Sequence, residues 1–98
     1  MLDKKKFYIN GQWVEPISKE EIKVINPATE ENCAVISLGN KSDVDTAVSA
    51  AKQAFETWAF SSKQERLELI EKLYVNYKKR WSDIAEAITI EMGAPKDF

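Results

Sequence analysis

From residue 42 to residue 92, apolar side chains return every three or four positions in three successive segments. The first forty residues carry only short β-forming runs broken by turn residues. Strands first and helices after constrain this chain more than any other feature. The order excludes a series of βαβ units and points to an α+β fold, or to the opening of a larger one.

The three stripes can be read residue by residue. Ser42 can cap a first helix over about 42–58, with Asp43 and Asp45 near its positive end. Val44, Ala47, Val48, Ala51, Phe55 and Trp58 share one face of it. A second helix, about 63–80, opens on a capping box of Ser62 with Glu65. Leu67, Ile70, Leu73, Tyr74, Tyr77 and Trp81 form the face expected to be buried, and Glu68 and Lys72 stand in the favourable i,i+4 order. A third helix, about 83–92, starts at Ser82 with Asp83 in its first turn, and Ile84, Ala85, Ile88 and Met92 line one side. Gly93 suits the left-handed position past its end, and Pro95 blocks continuation.

The strands lie within about 7–39. In "FYINGQWV" the Asn10–Gly11 pair tolerates positive φ at both central positions, which predicts a two-residue hairpin. Pro16 ends its second strand or confines it to an edge. "IKVIN" (22–26) and "CAVISL" (33–38) read as further strands around an "NPAT" turn, where Asn26 bonds its own backbone and Pro27 presets φ. One hairpin and two short strands cannot cover three apolar helix faces, so exposed apolar surface is expected unless something else packs there.

Composition excludes more than it suggests. Of the 98 residues 44% are hydrophobic and 31% charged, as in a globular protein, and such a chain buries only about 60–65% of its unfolded surface. Fourteen basic and sixteen acidic residues give a net charge of -2, which attracts neither nucleic acid nor a membrane surface. The one basic cluster, Lys4–Lys6, reads as a solvated, disordered tail. With no histidine, Ser-His-Asp triads, Cys-His pairs and most zinc geometries are excluded within the chain. Its three glycines are too far apart for a phosphate-cradling loop. One cysteine, no signal-peptide core and no window long enough to span a bilayer lead to the expectation of a cytoplasmic protein.

At this point the motifs resemble a known family. "FYINGQWV", "VINPATEE", "SDVDTAVSAAKQAFETW", "ERLELIEKL" and "EMGAP", in this order and spacing from about Phe7 to Pro95, resemble the N-terminal segment of the NAD(P)-dependent aldehyde dehydrogenase superfamily. The resemblance implies that residues 1–98 are one unit, the N-terminal part of the Rossmann-like coenzyme-binding domain of an enzyme several times longer. In such an enzyme a cysteine thiolate attacks the aldehyde, hydride passes to NAD or NADP, and an activated water releases the acid. The nucleophile, the general-base glutamate and the coenzyme motif lie downstream in the family, so no catalytic or cofactor-binding residue is assigned here. The chain alone is expected to be inactive and to bind no coenzyme. The remainder of the parent enzyme is the expected partner, with self-association through the uncovered faces. The alternative is a free-standing α+β module that binds a protein partner through those faces.

One family site reaches this segment. The resemblance maps a structural monovalent cation onto the Ile25 carbonyl and the Glu91 carboxylate, oxygen donors of the kind hard cations take. Val24 stands where ion-binding members often have threonine, which removes one oxygen. Glu30 stands where the family usually has glycine, so the turn is expected to open differently, because a residue with a Cβ resists positive φ. Ala94 replaces a frequent lysine, with no role identified for the change. Arg66 is expected in a structural salt bridge, and Trp58 and Trp81 in core packing. Cys33 follows "NPATEE" where an apolar strand residue is usual. With no histidine to activate it, it reads as a small hydrophobe and not a nucleophile.

Overall fold

Strands β2 (Phe7–Ile9) and β3 (Gln12–Val14) form the expected two-residue hairpin. Asn10 at φ 54° and Gly11 at φ 76° both take the left-handed conformation, which matches the twist of the flanking strands. Tyr8 and Trp13 stand directly opposite each other and meet edge to face, ring centroids 5.2 Å apart. The structure, a computed structural model, describes residues 2–97, so both end residues of the expected 1–98 unit lie outside it.

The N-terminal lysines depart from expectation. Leu2–Lys4 is a strand, β1, paired in parallel with β5 (Asn32–Ser37), Leu2 opposite Ala34 and Lys4 opposite Ile36. The Lys5 carbonyl accepts a 2.6 Å hydrogen bond from the Ser37 hydroxyl, and Lys5 Nζ lies 3.1 Å from Glu21 Oε1 and 3.8 Å from Asp3 Oδ2. The Glu21 hydrogen bond, with the charges of Asp3 and Glu21, raises the Lys5 pKa above its ordinary value. Parallel pairing with a strand thirty residues away leaves no local mark in a sequence, so a basic run there looks like a tail.

β4 (Glu21–Ile25) completes the sheet on the other side of β5, antiparallel, in the order β1-β5-β4. Val24 faces Ala34 and Ile25 faces Asn32, so Cys33 is the extra residue of a β-bulge. The turn beyond it is closed by three hydrogen bonds. Asn26 Oδ1 accepts from the Ala28 N–H at 2.9 Å, the Asn26 carbonyl from the Glu30 N–H at 2.8 Å, and the Glu31 carbonyl from the Asn26 N–H at 2.9 Å. Glu30 does not open this turn. It takes φ 62° itself, a left-handed conformation imposed by the bonds around it.

Helix α1 spans Lys41–Trp58, α2 Lys63–Lys79 and α3 Trp81–Met92. Two of the expected caps need correction. Asn40, not Ser42, caps α1. Asn40 Oδ1 accepts from the Asp43 N–H and Asp43 Oδ2 from the Asn40 N–H, both at 3.0 Å. Starting at Asn40 makes Asp43 the third helical residue, the one whose carboxylate can return to the cap. α3 begins before Ser82 and has no side-chain cap, because Arg80 alone both ends α2 and starts α3. Ser62 and Glu65 form the capping box of α2 as expected, and Gly93 ends α3 at φ 76°.

Arg66 also corrects its expectation. It forms no ion pair among the described residues. Its guanidinium donates to the Trp58 and Ala59 carbonyls at 3.3 and 3.4 Å and to Ser61 Oγ at 2.8 Å, and it lies 5.8 Å from the centre of the Trp58 ring. It therefore closes the C-terminal end of α1 from the next helix, adding a donor to the Trp58 carbonyl, which also accepts from the Ser61 N–H and hydroxyl, and one to the Ala59 carbonyl.

These elements form a slab and not a packed body. Its Cα atoms extend 49 × 35 × 15 Å with a radius of gyration of 17.2 Å, against about 13 Å for a compact domain of this length. Its accessible surface is 8462 Å², where a folded monomer of this size shows about 5,700 Å². Ala34 and Pro16 are the buried apolar residues among those described. The helix faces expected to be buried are open: Val44, Phe55, Leu67, Ile70, Leu73, Tyr74 and Trp81 are all exposed, and so is Trp58. The expectation of uncovered helix faces is met, and the expectation of core packing for the two tryptophans is not.

Candidate functional site

The most constrained polar group is Asp43. It is 5% exposed and sits where the hairpin, the loop after it and α1 meet. Its Oδ1 accepts from the Ile17 N–H at 2.7 Å, and its Oδ2 from the Ser18 N–H at 3.1 Å and from the Asn40 N–H. The Asn40 amide, then those of Ile17 and Ser18 and the charge of Lys19, hold its carboxyl below the ordinary carboxylate value against the opposing effect of burial. A carboxylate that accepts three main-chain N–H bonds is committed chiefly to positioning the fold. Beside it an open cleft of about 630 Å³ separates the hairpin from α1, lined by Asn10, Glu15, Asp45 and Gln53 among others.

Cys33 sits half-buried in its bulge, its thiol donating to the Val24 carbonyl at 3.4 Å. No histidine exists to activate it, and its neighbours are sheet backbone. It serves as a small strand residue.

The two residues assigned to a cation by resemblance lie on separate elements, Ile25 at the end of β4 and Glu91 in the last turn of α3. The end of α3 does approach the turn after β4: a Cβ on Gly93 would stand 3.2 Å from Pro27 Cγ. Glu91 itself is exposed. Among the described residues no group of three acidic, cysteine or histidine side chains is arranged to hold a metal. A backbone carbonyl and one carboxylate suit a hard monovalent cation in kind but do not complete its coordination. Near the same helix end, Thr89 Oγ1 is buried with no hydrogen-bond partner among the described residues. Sequence reasoning missed it, because a threonine between apolar residues gives no sign of what will surround it.

A second, apolar cleft of about 370 Å³ runs along α3, between Tyr77, Trp81, Ile84, Ile88, Met92 and Pro95. It is open, and Lys96 is the one charged side chain in its lining. No helix of the described residues is long and apolar enough to cross a membrane.

Comparison with known proteins gives one family. The profile of the Aldehyde dehydrogenase family matches residues 13–98. The 3-succinoylsemialdehyde-pyridine dehydrogenase of a Pseudomonas species is 50% identical over 95 residues, which is 97% of this chain and 20% of that protein. The crystal structure of an aldehyde dehydrogenase from Bartonella henselae superposes with a TM-score of 0.97 at 55% identity, over 99% of this chain and 20% of that one. Aldehyde dehydrogenase C of Pseudomonas syringae, solved as a mutant with NAD+ and octanal, gives a TM-score of 0.92 at 42% identity, over 94% and 19%. The chain thus spans about a fifth of the length of its relatives, and its α+β arrangement is that of a fragment of their fold. This chain belongs to the aldehyde dehydrogenase family.

Proposed function

We propose that these 98 residues act as the N-terminal part of the coenzyme-binding domain of an NAD(P)-dependent aldehyde dehydrogenase. The longer enzyme oxidises an aldehyde to a carboxylic acid through a cysteine thioester, with the nucleophile, the general base and the coenzyme motif supplied by sequence outside this chain. The observation that carries the reading is the family match over residues 13–98 on a chain spanning a fifth of its relatives' length. The surplus surface supports it. About 2,800 Å² beyond that of a compact monomer is the scale of an obligate interface, a core cut open and not a docking patch. The stripes of α1, α2 and α3 then pack in the longer enzyme against a sheet formed downstream.

In this reading the chain binds no coenzyme and turns over nothing alone, associates with itself when its faces stay uncovered, and resides in the cytoplasm. Ile25 and Glu91 offer two oxygens to a monovalent cation that the rest of the enzyme must complete. The purified chain, incubated with an aldehyde and NAD or NADP, is expected to produce no reduced coenzyme; turnover would overturn the assignment of catalysis to sequence outside it. Reading the coding sequence beyond residue 98 tests the rest. Absence there of a coenzyme-binding glycine motif and of a later cysteine motif would overturn the parent assignment.

A further inference from the structure

We propose that Asn10–Gly11, at the tip of the hairpin, is a site of spontaneous deamidation, and that its product loosens the hairpin from α1. The chain has five asparagines, and only Asn10 precedes a residue without a side chain. Asn26 precedes Pro27, whose nitrogen carries no proton to lose, and its carboxamide is held by the Ala28 amide. Asn40 is bound into the cap of α1 and precedes Lys41. Asn32 lies in β5 before Cys33, and Asn76 inside α2 before Tyr77.

The reaction needs only water. The Gly11 backbone nitrogen attacks Asn10 Cγ, the N–Cγ bond forms and the Cγ–Nδ2 bond breaks. The amide group leaves as ammonia, taking up the proton that the Gly11 nitrogen gives up. Water then opens the cyclic imide. Attack at Cγ gives aspartate, and attack at the main-chain carbonyl carbon gives isoaspartate. A neighbour without a Cβ lets the backbone nitrogen approach closely. Both tip residues are exposed, and nothing lies within 4 Å of the position a Gly11 Cβ would take. The Gly11 amide must turn onto the Asn10 side chain, so the tip must first leave its left-handed turn. Two three-residue strands resist that only weakly.

The position of the tip gives the change its consequence. Asn10 lines the same cleft as Glu15, Asp43 and Asp45, so either product adds a fourth negative charge to a wall that already carries three. Isoaspartate also lengthens the backbone by one carbon inside a loop of two residues. That mismatches the Ile9–Gln12 pair and the Tyr8–Trp13 contact beyond it.

The test is to age the purified chain in mildly alkaline buffer beside a short synthetic peptide of the same hairpin-tip sequence. Both are followed by peptide mass spectrometry and by an isoaspartate-specific methyl-transfer assay. The expected result is conversion at Asn10 alone, within about tenfold of the peptide's rate, as the opening of a marginal hairpin allows. In a Trp58→Phe, Trp81→Phe background that leaves Trp13 as the one tryptophan, its fluorescence should change in step, and an Asn10→Ser variant should show neither change. An Asn10 that stays intact while the peptide converts completely would overturn the proposal, since the hairpin would then be protecting it. Conversion with no change in Trp13 fluorescence would overturn the loosening.

Discussion

Asp43 Oδ1 accepts a 2.7 Å hydrogen bond from the main-chain N–H of Ile17, a residue twenty-six positions earlier. Together with the bonds from Ser18 and Asn40 it ties the loop after the hairpin to the start of α1, so a local helix cap doubles as the main polar link between the strand and helix halves.

Replacing Asp43 by Asn removes the charge and one acceptor oxygen. The Ile17 and Ser18 amides are expected to exchange with solvent at least about tenfold faster, as local opening becomes easier. Hydrogen exchange followed by NMR measures this. The pH dependence has a definite sign. The folded-state pKa of Asp43 is lowered, so its stabilisation is fully present above the ordinary carboxylate value and is lost as pH falls through the lower, folded value. Unchanged exchange in the variant would remove the link from the account.

Gly93 and Gly11 share a φ of 76° but not their surroundings. Gly93→Ala meets the cost of the left-handed conformation, about 1 kcal/mol, and also Pro27 Cγ at 3.2 Å. Gly11→Ala meets the conformational cost alone, since its Cβ points into open space. Unfolding in urea should rank Gly93→Ala as the more destabilising, and equal losses would mean that α3 does not lean on the turn after β4.

Glu30 occupies a left-handed position at φ 62°. Glu30→Gly is expected to stabilise the chain by about 1 kcal/mol through relief of that conformation. A higher midpoint in the same urea titration would show it.

Arg66→Lys keeps the charge and loses the planar fork that reaches Trp58, Ala59 and Ser61 at once. The loss should be about 1 kcal/mol, with NMR shifts confined to residues 57–66. If lysine proved equivalent, a point charge at the end of α1 would suffice.

Leu67 and Ile70 stand exposed on the stripe of α2. Changing both to glutamate should weaken the self-association of the isolated chain and lower its binding of a hydrophobic dye, read by light scattering and fluorescence. The same pair of changes in the full-length enzyme should prevent its folding. A wild-type chain already monomeric and blind to the dye would instead favour a self-sufficient module.

Much of this chain could be read locally. The Asn10–Gly11 hairpin, the Asn26 turn, the Ser62–Glu65 box and the Gly93 stop each depend on a few adjacent residues, and each formed where it was expected. The α1 cap went to Asn40 because two capping residues stand close together, and only the reach of Asp43 decides between them. That spacing, Asn40 to Asp43, is legible in the sequence. The bulge at Cys33 and the pairing of Leu2–Lys4 had no comparable signal.

The sequence by itself determined the hairpin, the two longer strands and the three helices, β1 excepted, because caps, turn residues and hydrophobic period act over a few residues. It also determined the family, through five motifs in order. Only the tertiary structure decided that Asp43 joins two halves of the chain, that Arg66 bonds to carbonyls in place of a carboxylate, and that Leu2–Lys4 pairs with β5. Those depend on which surfaces meet, and meeting is a property of the whole chain in space.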